Sequence, residues 1–163
     1  MRTFILLSAM PGAGKSTWAK HYVSTHPEAI IVSSDEIRVK KFGSASVVSH
    51  DDLVWPEFQR ELEEGLKEDG KTVIADSTNL SNKYRIQYAR SMASFADRKI
   101  LIYFSVSYET CCRRNQMRAA DRVVPAEAME RLKAEWEPLS DETMDAYDEV
   151  IQIDEDLKEK KLK

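Results

Sequence analysis

Residues 8–20 (SAMPGAGKSTWAK) bring two glycines, a lysine and two hydroxyl side chains together directly after an apolar run. Gly12 and Gly14 permit backbone angles closed to other residues, so the chain can turn sharply from a strand into a helix. Backbone N–H groups can then point inward, beside the positive end of the new helix, and surround a phosphate. Lys15 would supply a point charge for the outer phosphates, and Ser16 a hydroxyl for Mg²⁺.

The segment fits the nucleotide-binding pattern G-x-x-x-x-G-K-[ST], except that Ala9 stands at the position of the first glycine. An ordinary glycine turn before a helix is the alternative. The strand before the loop and the helix after it favour nucleotide binding, with ATP·Mg²⁺ as the expected ligand. The residues expected to hold it are Gly12, Ala13, Gly14, Lys15, Ser16 and Thr17.

A second polar segment, SSDEIR, follows the next apolar run and places Asp35 and Arg38 three residues apart at the start of a helix. A carboxylate at this position can accept the proton of a hydroxyl that attacks a γ-phosphate. Arg38 on the same face could hold a phosphate of the acceptor. The alternative is that Asp35 only caps its helix.

The third polar segment, ADSTNLSNKYR, places Asp76 and Thr78 at the end of another apolar run. This position suits a residue behind a magnesium ligand or a contact to the acceptor, and the sequence does not decide between them. In the alternative interpretation Ser81 or Asn82 caps the next helix and the other residues form a turn.

Three arginines at four-residue steps, Arg114, Arg118 and Arg122, lie in the segment CCRRNQMRAADRVVP. On one helix they form a stripe of like charge, which is unfavourable unless an anion neutralises it. A lid that brings Arg114 and Arg118 to the β- and γ-phosphates would give the stripe a function. The alternative is a solvated basic face, with Asp121 as a partner and Arg122 in a structural pair.

The elements between these segments predict an α/β fold. Near-continuous apolar runs at 3–8, 29–33, 72–75, 99–104 and 149–153 indicate five strands, and helical periods occupy 15–25, 52–68, 82–95, 108–117 and 126–137. This alternation predicts a five-stranded parallel sheet with helices on both faces. We expect one domain over residues 1–153, with a helical lid at about 108–124 and a charged, frayed tail at 154–163.

Composition adds weaker constraints. The 163 residues carry a net charge of −4, which argues against a general nucleic-acid coat protein but allows a local basic groove. Basic residues that could serve such a groove are Lys40, Lys41, Lys83, Arg85 and Arg90. Two adjacent cysteines and no apolar run of membrane-spanning length predict a cytoplasmic protein that does not enter a membrane. The apolar opening is interpreted as a strand, and no feature specifies a homo-oligomer.

Together and in order, GKSTWAK, Asp35-x-x-Arg38, S-T-N-L at 77–80 and R-N-x-x-R at 114–118 followed by V-P resemble a known family. It is the 5′-kinase domain of the bacteriophage T4 polynucleotide kinase family, with the P-loop kinases grouped around it. The resemblance covers residues 3 to 136.

The resemblance implies transfer of the γ-phosphate of ATP to a 5′-hydroxyl end of DNA or RNA. Lys15 and Ser16 would hold ATP·Mg²⁺, Asp35 would be the general base, and Arg38 would bind the flanking phosphate of the acceptor. Thr78 would contact the acceptor, while Arg114 and Arg118 would clamp the donor phosphates. No D-x-D-x-T signature is present, so we expect no 3′-phosphatase domain.

Two other functions stay open on the sequence. A small-molecule or nucleoside-type phosphotransferase on the same scaffold would suit the acidic charge balance, since oligonucleotide binding draws on several basic contacts. A non-enzymatic nucleotide-dependent switch is the third hypothesis, because a fold does not guarantee a function.

Overall fold

The computed structural model describes residues 1–163, whose centre is one six-stranded sheet. Its strands are β1 Thr3–Ser8, β2 Ala29–Ser33, β3 Thr72–Asp76, β4 Arg98–Phe104, β5 Glu149–Ile153 and β6 Glu159–Lys161. Their order across the sheet is β2-β3-β1-β4-β5-β6, and all neighbours are parallel except β5 and β6. The predicted α/β class with a parallel sheet is confirmed.

Seven α-helices and one short 3₁₀ helix connect the strands. They are α1 Lys15–Thr25, α2 Ser34–Phe42, α3 Asp51–Gly65, α4 Asn82–Ser91, α5 Tyr108–Gln116, the 3₁₀ helix Ala120–Arg122, α6 Ala126–Glu135 and α7 Asp141–Ala146. None of these helices is both long enough and apolar enough to cross a membrane.

Alternation of side chains along the central strand β1 builds two separate cores. Phe4 and Leu6 point to one face, where residues of α3 and α4 such as Phe58 and Ala89 cover them. Ile5 and Leu7 belong to the cluster on the other face, which residues of α1, α5 and α6 cover. Because both faces are buried, the strand is apolar at every inner position, as parallel sheets require.

The C-terminal segment differs from the prediction of a frayed tail, which is wrong. Residues Glu159–Lys161 form β6 and pair antiparallel with β5, so the sheet has six strands. The charged side chains of β6 are exposed, but its backbone completes the edge of β5 and Leu162 packs against the core. A sequence rich in lysine can therefore be ordered when the neighbouring strand supplies its hydrogen bonds.

Candidate active site

The loop between β1 and α1 has the geometry of a phosphate cradle. Gly12 and Gly14 both adopt positive φ, of 85° and 103°. The backbone N–H groups of Gly14, Lys15, Ser16 and Thr17 donate to no protein acceptor, because the first intrahelical bond runs from Trp18 to Gly14. Unpartnered amides at a helix start are the donors that a phosphate accepts from.

Two side chains of the same loop add charge and oxygen ligands. Lys15 is half-buried and has no ion pair or hydrogen bond inside the protein, so its ammonium is available to an anion. Ser16 Oγ donates to Asp76 Oδ2 at 3.1 Å, which joins the loop to the end of β3. A hydroxyl and a carboxylate side by side are the hard oxygen ligands that fit Mg²⁺ when substrate phosphates complete its shell. The position of Asp76 therefore suits the metal side of the site.

Gly12 is required for a second reason, its contact with α5. A Cβ atom at this position would lie 2.3 Å from the carbonyl oxygen of Cys111 and 3.1 Å from the amide nitrogen of Asn115. Both neighbours are backbone atoms, which cannot rotate away. The loop thus packs directly on the helix that begins the lid segment, defined here as residues 108–124.

We expect Gly12→Ala to destabilise the protein and to impair nucleotide binding. Gly70 provides the matched control, because it has a similar φ of 82° with open space around it. Gly70→Ala should cost about 1–2 kcal/mol of unfolding free energy from backbone strain alone. Gly12→Ala should cost at least about 1–3 kcal/mol more, because the added methyl overlaps helix backbone. Equal losses in urea unfolding would contradict the close approach.

The start of α2 holds the predicted base. Ser33 caps this helix by accepting a hydrogen bond from the amide of Glu36, so Asp35 is not the cap. The Asp35 carboxylate accepts from Arg38 Nη1 at 2.8 Å and lies 3.7 Å from Arg118 Nη2. Its side chain is 34% exposed, which leaves the carboxylate open to a substrate hydroxyl. Two predicted site residues from distant segments, Asp35 and Arg118, are thereby brought together.

The Arg38 guanidinium makes more contacts within the protein than the sequence suggests. Its Nε and Nη2 donate to the two oxygens of Asp51 at 2.9 and 2.8 Å, in addition to the bond to Asp35. The guanidinium also lies over the ring of Trp55, 5.6 Å from its centroid. Burial opposes the charge, but the carboxylates of Asp51 and Asp35 outweigh it and raise the pKa of Arg38 above its ordinary value. The residue expected to hold an acceptor phosphate is thus already bound to carboxylates.

The three arginines at four-residue steps, Arg114, Arg118 and Arg122, do not form a stripe on one helix, so that expectation is wrong. Helix α5 ends at Gln116, Arg118 lies in the turn that follows, and Arg122 ends the 3₁₀ helix. The chain turns back after α5 because the Asn115 side chain makes two hydrogen bonds with the backbone of Val124. It donates to the Val124 carbonyl and accepts from the Val124 amide. Each arginine therefore finds its own partner, and the repulsion of a like-charge stripe is avoided.

Of Arg114, Arg118 and Arg122, Arg114 alone lies on α5, and its partner belongs to the C-terminal segment. Its Nη2 donates to the backbone carbonyl of Glu155 at 3.1 Å. The Glu155 carboxylate in turn accepts from the backbone of Ser107 and from Thr110 Oγ1 at the start of α5. Hydrogen bonds with Ser107 hold the pKa of Glu155 below its usual value. Through these hydrogen bonds Glu155 of the C-terminal segment fixes the position of α5, the helix that begins the lid segment.

Arg122 joins the lid segment to α2. Its Nη2 donates to Glu36 Oε1 at 2.6 Å, and this hydrogen bond raises the pKa of the Arg122 guanidinium above its ordinary value. Asp121, the partner expected in the alternative interpretation, makes no ion pair with it. Together with the contact between Arg118 and Asp35, this pair places the lid segment across the start of α2.

Reversing one charge of the Glu36–Arg122 pair should loosen the lid segment, which we expect to lower kcat/KM in the phosphoryl-transfer assay that tests the function proposed below. An exposed pair contributes about 0.2–1 kcal/mol, so Glu36→Arg or Arg122→Glu should reduce kcat/KM only about 1.4- to 5-fold. The double variant, which restores the pair with opposite polarity, should recover most of the loss. Additive losses in the double variant would show that the ion pair does not hold the lid segment.

The turn after β3 supports the loop from behind. The Thr78 carbonyl accepts from the amide of Ala9 at 2.9 Å, and Asn79, at a positive φ of 47°, donates from its side chain to the Leu7 carbonyl. The Thr78 side chain is half-buried. Ser81 caps α4 as the alternative interpretation expected. The turn chemistry and a role for Thr78 are therefore compatible.

Arg85 is not available to a basic groove, so that expectation is wrong. It is completely buried, and its guanidinium donates to Ser8 Oγ and to the carbonyls of Asn79 and Glu137. Burial lowers the pKa of Arg85 below its ordinary value. Its contacts tie the end of β1 to the turn after β3, so its function is to support the loop. Lys83 and Arg90 do line an open groove on α4.

Sequence reasoning assigned no role to three residues of the site: Glu36, Asp51 and Asn115, the last of which it named only as part of the R-N-x-x-R motif. Each makes hydrogen bonds with a partner that becomes its neighbour only when the chain folds. Glu36, for example, lies 86 residues from Arg122 in the sequence. Asp51 also lies on a different helix from its partner Arg38. Asn115 alone left a signal, because a polar residue on the inner side of a helix is expected to bond to backbone when buried.

The sheet order and the cradle at the end of β1 define a nucleotide-binding domain with the P-loop kinase fold. The chain belongs to the AAA domain family, whose model matches residues 5–139. No curated protein sequence was found to match the chain.

Solved structures with the same fold are similar at low sequence identity. A structure of the Pnkp1/Rnl/Hen1 RNA repair complex matches at 21% identity and a TM-score of 0.70, over 98% of this chain and 48% of the other. A gluconokinase from Sinorhizobium meliloti matches at 17% and 0.62, over 93% and 82%. Chaetomium thermophilum Kti12 in complex with ADP-AlF3 matches at 14% and 0.72, over 93% and 88%.

The chain spans less than half of the matched chains from the Pnkp1/Rnl/Hen1 complex, 38% in one structure and 48% in another. At these identities the similarity establishes the fold.

Proposed function

We propose that the protein is an ATP-dependent polynucleotide kinase that transfers the γ-phosphate of ATP to a 5′-hydroxyl end of DNA or RNA. The observation that carries this proposal is the placement of Asp35. An accessible carboxylate lies on α2 between Arg38 and Arg118, and the lid segment that carries Arg118 begins on the helix that packs against the phosphate cradle. A base and a cation at the same place suit attack by a hydroxyl on a phosphate.

The donor half of the reaction is assigned to the loop. The free amides of residues 14–17 and the Lys15 ammonium would bind the β- and γ-phosphates. Ser16 and Asp76 would face a magnesium ion carried by the nucleotide. Such an ion supplies Lewis-acid charge to the phosphate oxygens when bound. Arg114 would bind the donor phosphates after exchanging its partner, the Glu155 carbonyl, for a phosphate oxygen.

The acceptor half is assigned to α2 and the lid segment. Asp35 accepts the proton of the attacking hydroxyl as the new oxygen–phosphorus bond forms. The bond between the γ-phosphorus and the bridging oxygen breaks, and ADP leaves with the electron pair. Arg118, 3.7 Å from Asp35, stabilises the negative charge on the transferring group. Thr78 lies in the turn that supports the loop and is assigned to the acceptor side.

A second candidate, kinase activity on a small hydroxylated molecule, is favoured by one specific observation. Arg38 is paired with two carboxylates, and with Arg118 these four side chains have a net charge of zero. No uncompensated positive charge is left there for a phosphate of the acceptor, and a neutral acceptor requires none. The similarity in fold to a gluconokinase fits this alternative, and the similarity to chains of an RNA repair complex fits the first.

A comparison of acceptors tests the proposal. Initial rates of transfer from γ-labelled ATP would be measured on short DNA and RNA with 5′-hydroxyl ends, on nucleosides and on small polyols. Higher kcat/KM for the oligomers supports the proposed function. Higher kcat/KM for a polyol would transfer the assignment to the second candidate. ATP binding without transfer to any acceptor would favour a non-enzymatic switch.

A further inference from the structure

Arg38 forms a bidentate ion pair with Asp51, the first residue of α3. The Nε and Nη2 groups of Arg38 donate to the two carboxylate oxygens of Asp51 at 2.9 and 2.8 Å. A phosphate is bound by arginine through the same pair of parallel hydrogen bonds. The Asp51 carboxylate therefore occupies the edge of Arg38 that would hold a phosphate of the acceptor.

The remaining sides of Arg38 are also closed. Nη1 donates to Asp35, and one face of the guanidinium lies over Trp55. Only 10% of the Arg38 side chain is exposed, whereas 28% of the Asp51 side chain is exposed. Asp51 is the more accessible member of this pair. Asp35, the other carboxylate partner, is 34% exposed but accepts only from Nη1, so it is the departure of Asp51 that would free the edge formed by Nε and Nη2.

We propose that Asp51 is a specificity-determining residue, which competes with a phosphate of the acceptor for Arg38. The proposal rests on the proposed function, because it places the acceptor at Asp35 and Arg38. An acceptor that carries a phosphate next to its hydroxyl must displace Asp51 before it can bind Arg38. An acceptor without that phosphate leaves the pair intact. Asp51 thus reduces the advantage of phosphorylated acceptors over unphosphorylated ones.

A purely structural role for Asp51 leads to a different expectation. If Asp51 only fixed Arg38, and through it Asp35, its loss would slow transfer to every acceptor by the same factor. Competition changes the ratio between two acceptors that differ by one phosphate. The ratio therefore separates the two roles.

The experiment compares thymidine 3′-monophosphate with thymidine as ligands of wild-type protein and of Asp51→Asn. Dissociation constants from calorimetry are the first readout, and kcat/KM for phosphoryl transfer is the second. Asp51→Asn should raise the preference for the 3′-monophosphate about ten-fold or more, since an arginine–phosphate pair is a strong charge-assisted contact. Asp52→Asn removes the same charge at the next position, which is exposed and has no ion pair, and should leave the preference unchanged.

Arg38→Ala in the Asp51→Asn background should remove the gain, because the phosphate would have no guanidinium to bind. An unchanged or smaller preference in Asp51→Asn, with the fold intact by thermal unfolding, would overturn the proposal. The calorimetric readout requires no phosphoryl transfer. Absence of label on 5′-hydroxyl oligomers would therefore count against the proposed function alone, while the binding preference still decides the role of Asp51.

Discussion

Lys15→Ala is expected to reduce phosphoryl transfer below detection, a loss of at least about 10³-fold in kcat/KM. The Lys15 ammonium has no partner in the protein and lies at the first turn of α1, beside the unpartnered amides of the loop. The ammonium is therefore available to bind an anionic ligand. Removing it takes away stabilisation of the charge that moves onto the bridging oxygen as ADP leaves. The measurement is the rate of label transfer from γ-labelled ATP.

Lys20 gives the matched control for this prediction. It lies on the same helix, is exposed and also has no ion pair. Lys20→Ala changes the net charge by the same amount, and we expect transfer within about two-fold of wild type, because exposed charges contribute little at a distance. Equal losses in the two variants, or activity of Lys15→Ala near that of wild type, would show that the loop is not the donor site.

Asp35→Asn is expected to lower kcat by about 10²–10⁴-fold, the usual contribution of a general base, while ATP binding stays close to wild type. The amide keeps the shape of the side chain but cannot take the proton of the attacking hydroxyl. The donor site is formed by a different segment, the loop after β1, and this is why binding should persist. Single-turnover transfer and calorimetric titration with ATP measure the two effects separately.

The control for Asp35→Asn must account for its two arginine neighbours. Loss of the carboxylate weakens contacts to Arg38 and Arg118, so thermal unfolding of the variant is measured beside Asp52→Asn. A large loss of kcat with an unfolding temperature near that of Asp52→Asn supports the role as base. Turnover close to wild type would exclude Asp35 as the base.

Local sequence signals correctly predicted five of the six strands and the sharp glycine turn between β1 and α1. The alternation of Phe4 and Leu6 with Ile5 and Leu7 is a property of adjacent residues, and so is the run of glycines before Lys15. Strand boundaries were predicted to within one residue. In each case the physical cause lies within a few positions of the chain.

Features that depend on distant partners were not predictable. The spacing of Arg114, Arg118 and Arg122 suggested one helix, but Asn115 ends it through a contact with Val124. Arginine is usually a surface residue. Arg85 is buried because three separate segments supply carbonyl or hydroxyl oxygens that accept its hydrogen bonds. Such outcomes follow from tertiary packing, which a single sequence does not display.

The same distinction applies to the acceptor site. Asp35 and Arg38 are separated by one helical turn, so their pairing follows from sequence. The pairing of Arg38 with Asp51 joins two helices, and it changes the interpretation of Arg38 from a free phosphate ligand to one that is already engaged. Charge balance at the site was therefore the part of the function least accessible to sequence analysis.

The most direct test of the central claim is label transfer from γ-labelled ATP, in magnesium, to a short oligonucleotide with a 5′-hydroxyl end. The same oligonucleotide with a 5′-phosphate and the Asp35→Asn variant serve as controls. We predict label on the 5′-terminal nucleotide of the hydroxyl substrate and none in either control. An unlabelled oligonucleotide in a reaction that does label a small polyol would contradict the assignment as a polynucleotide kinase.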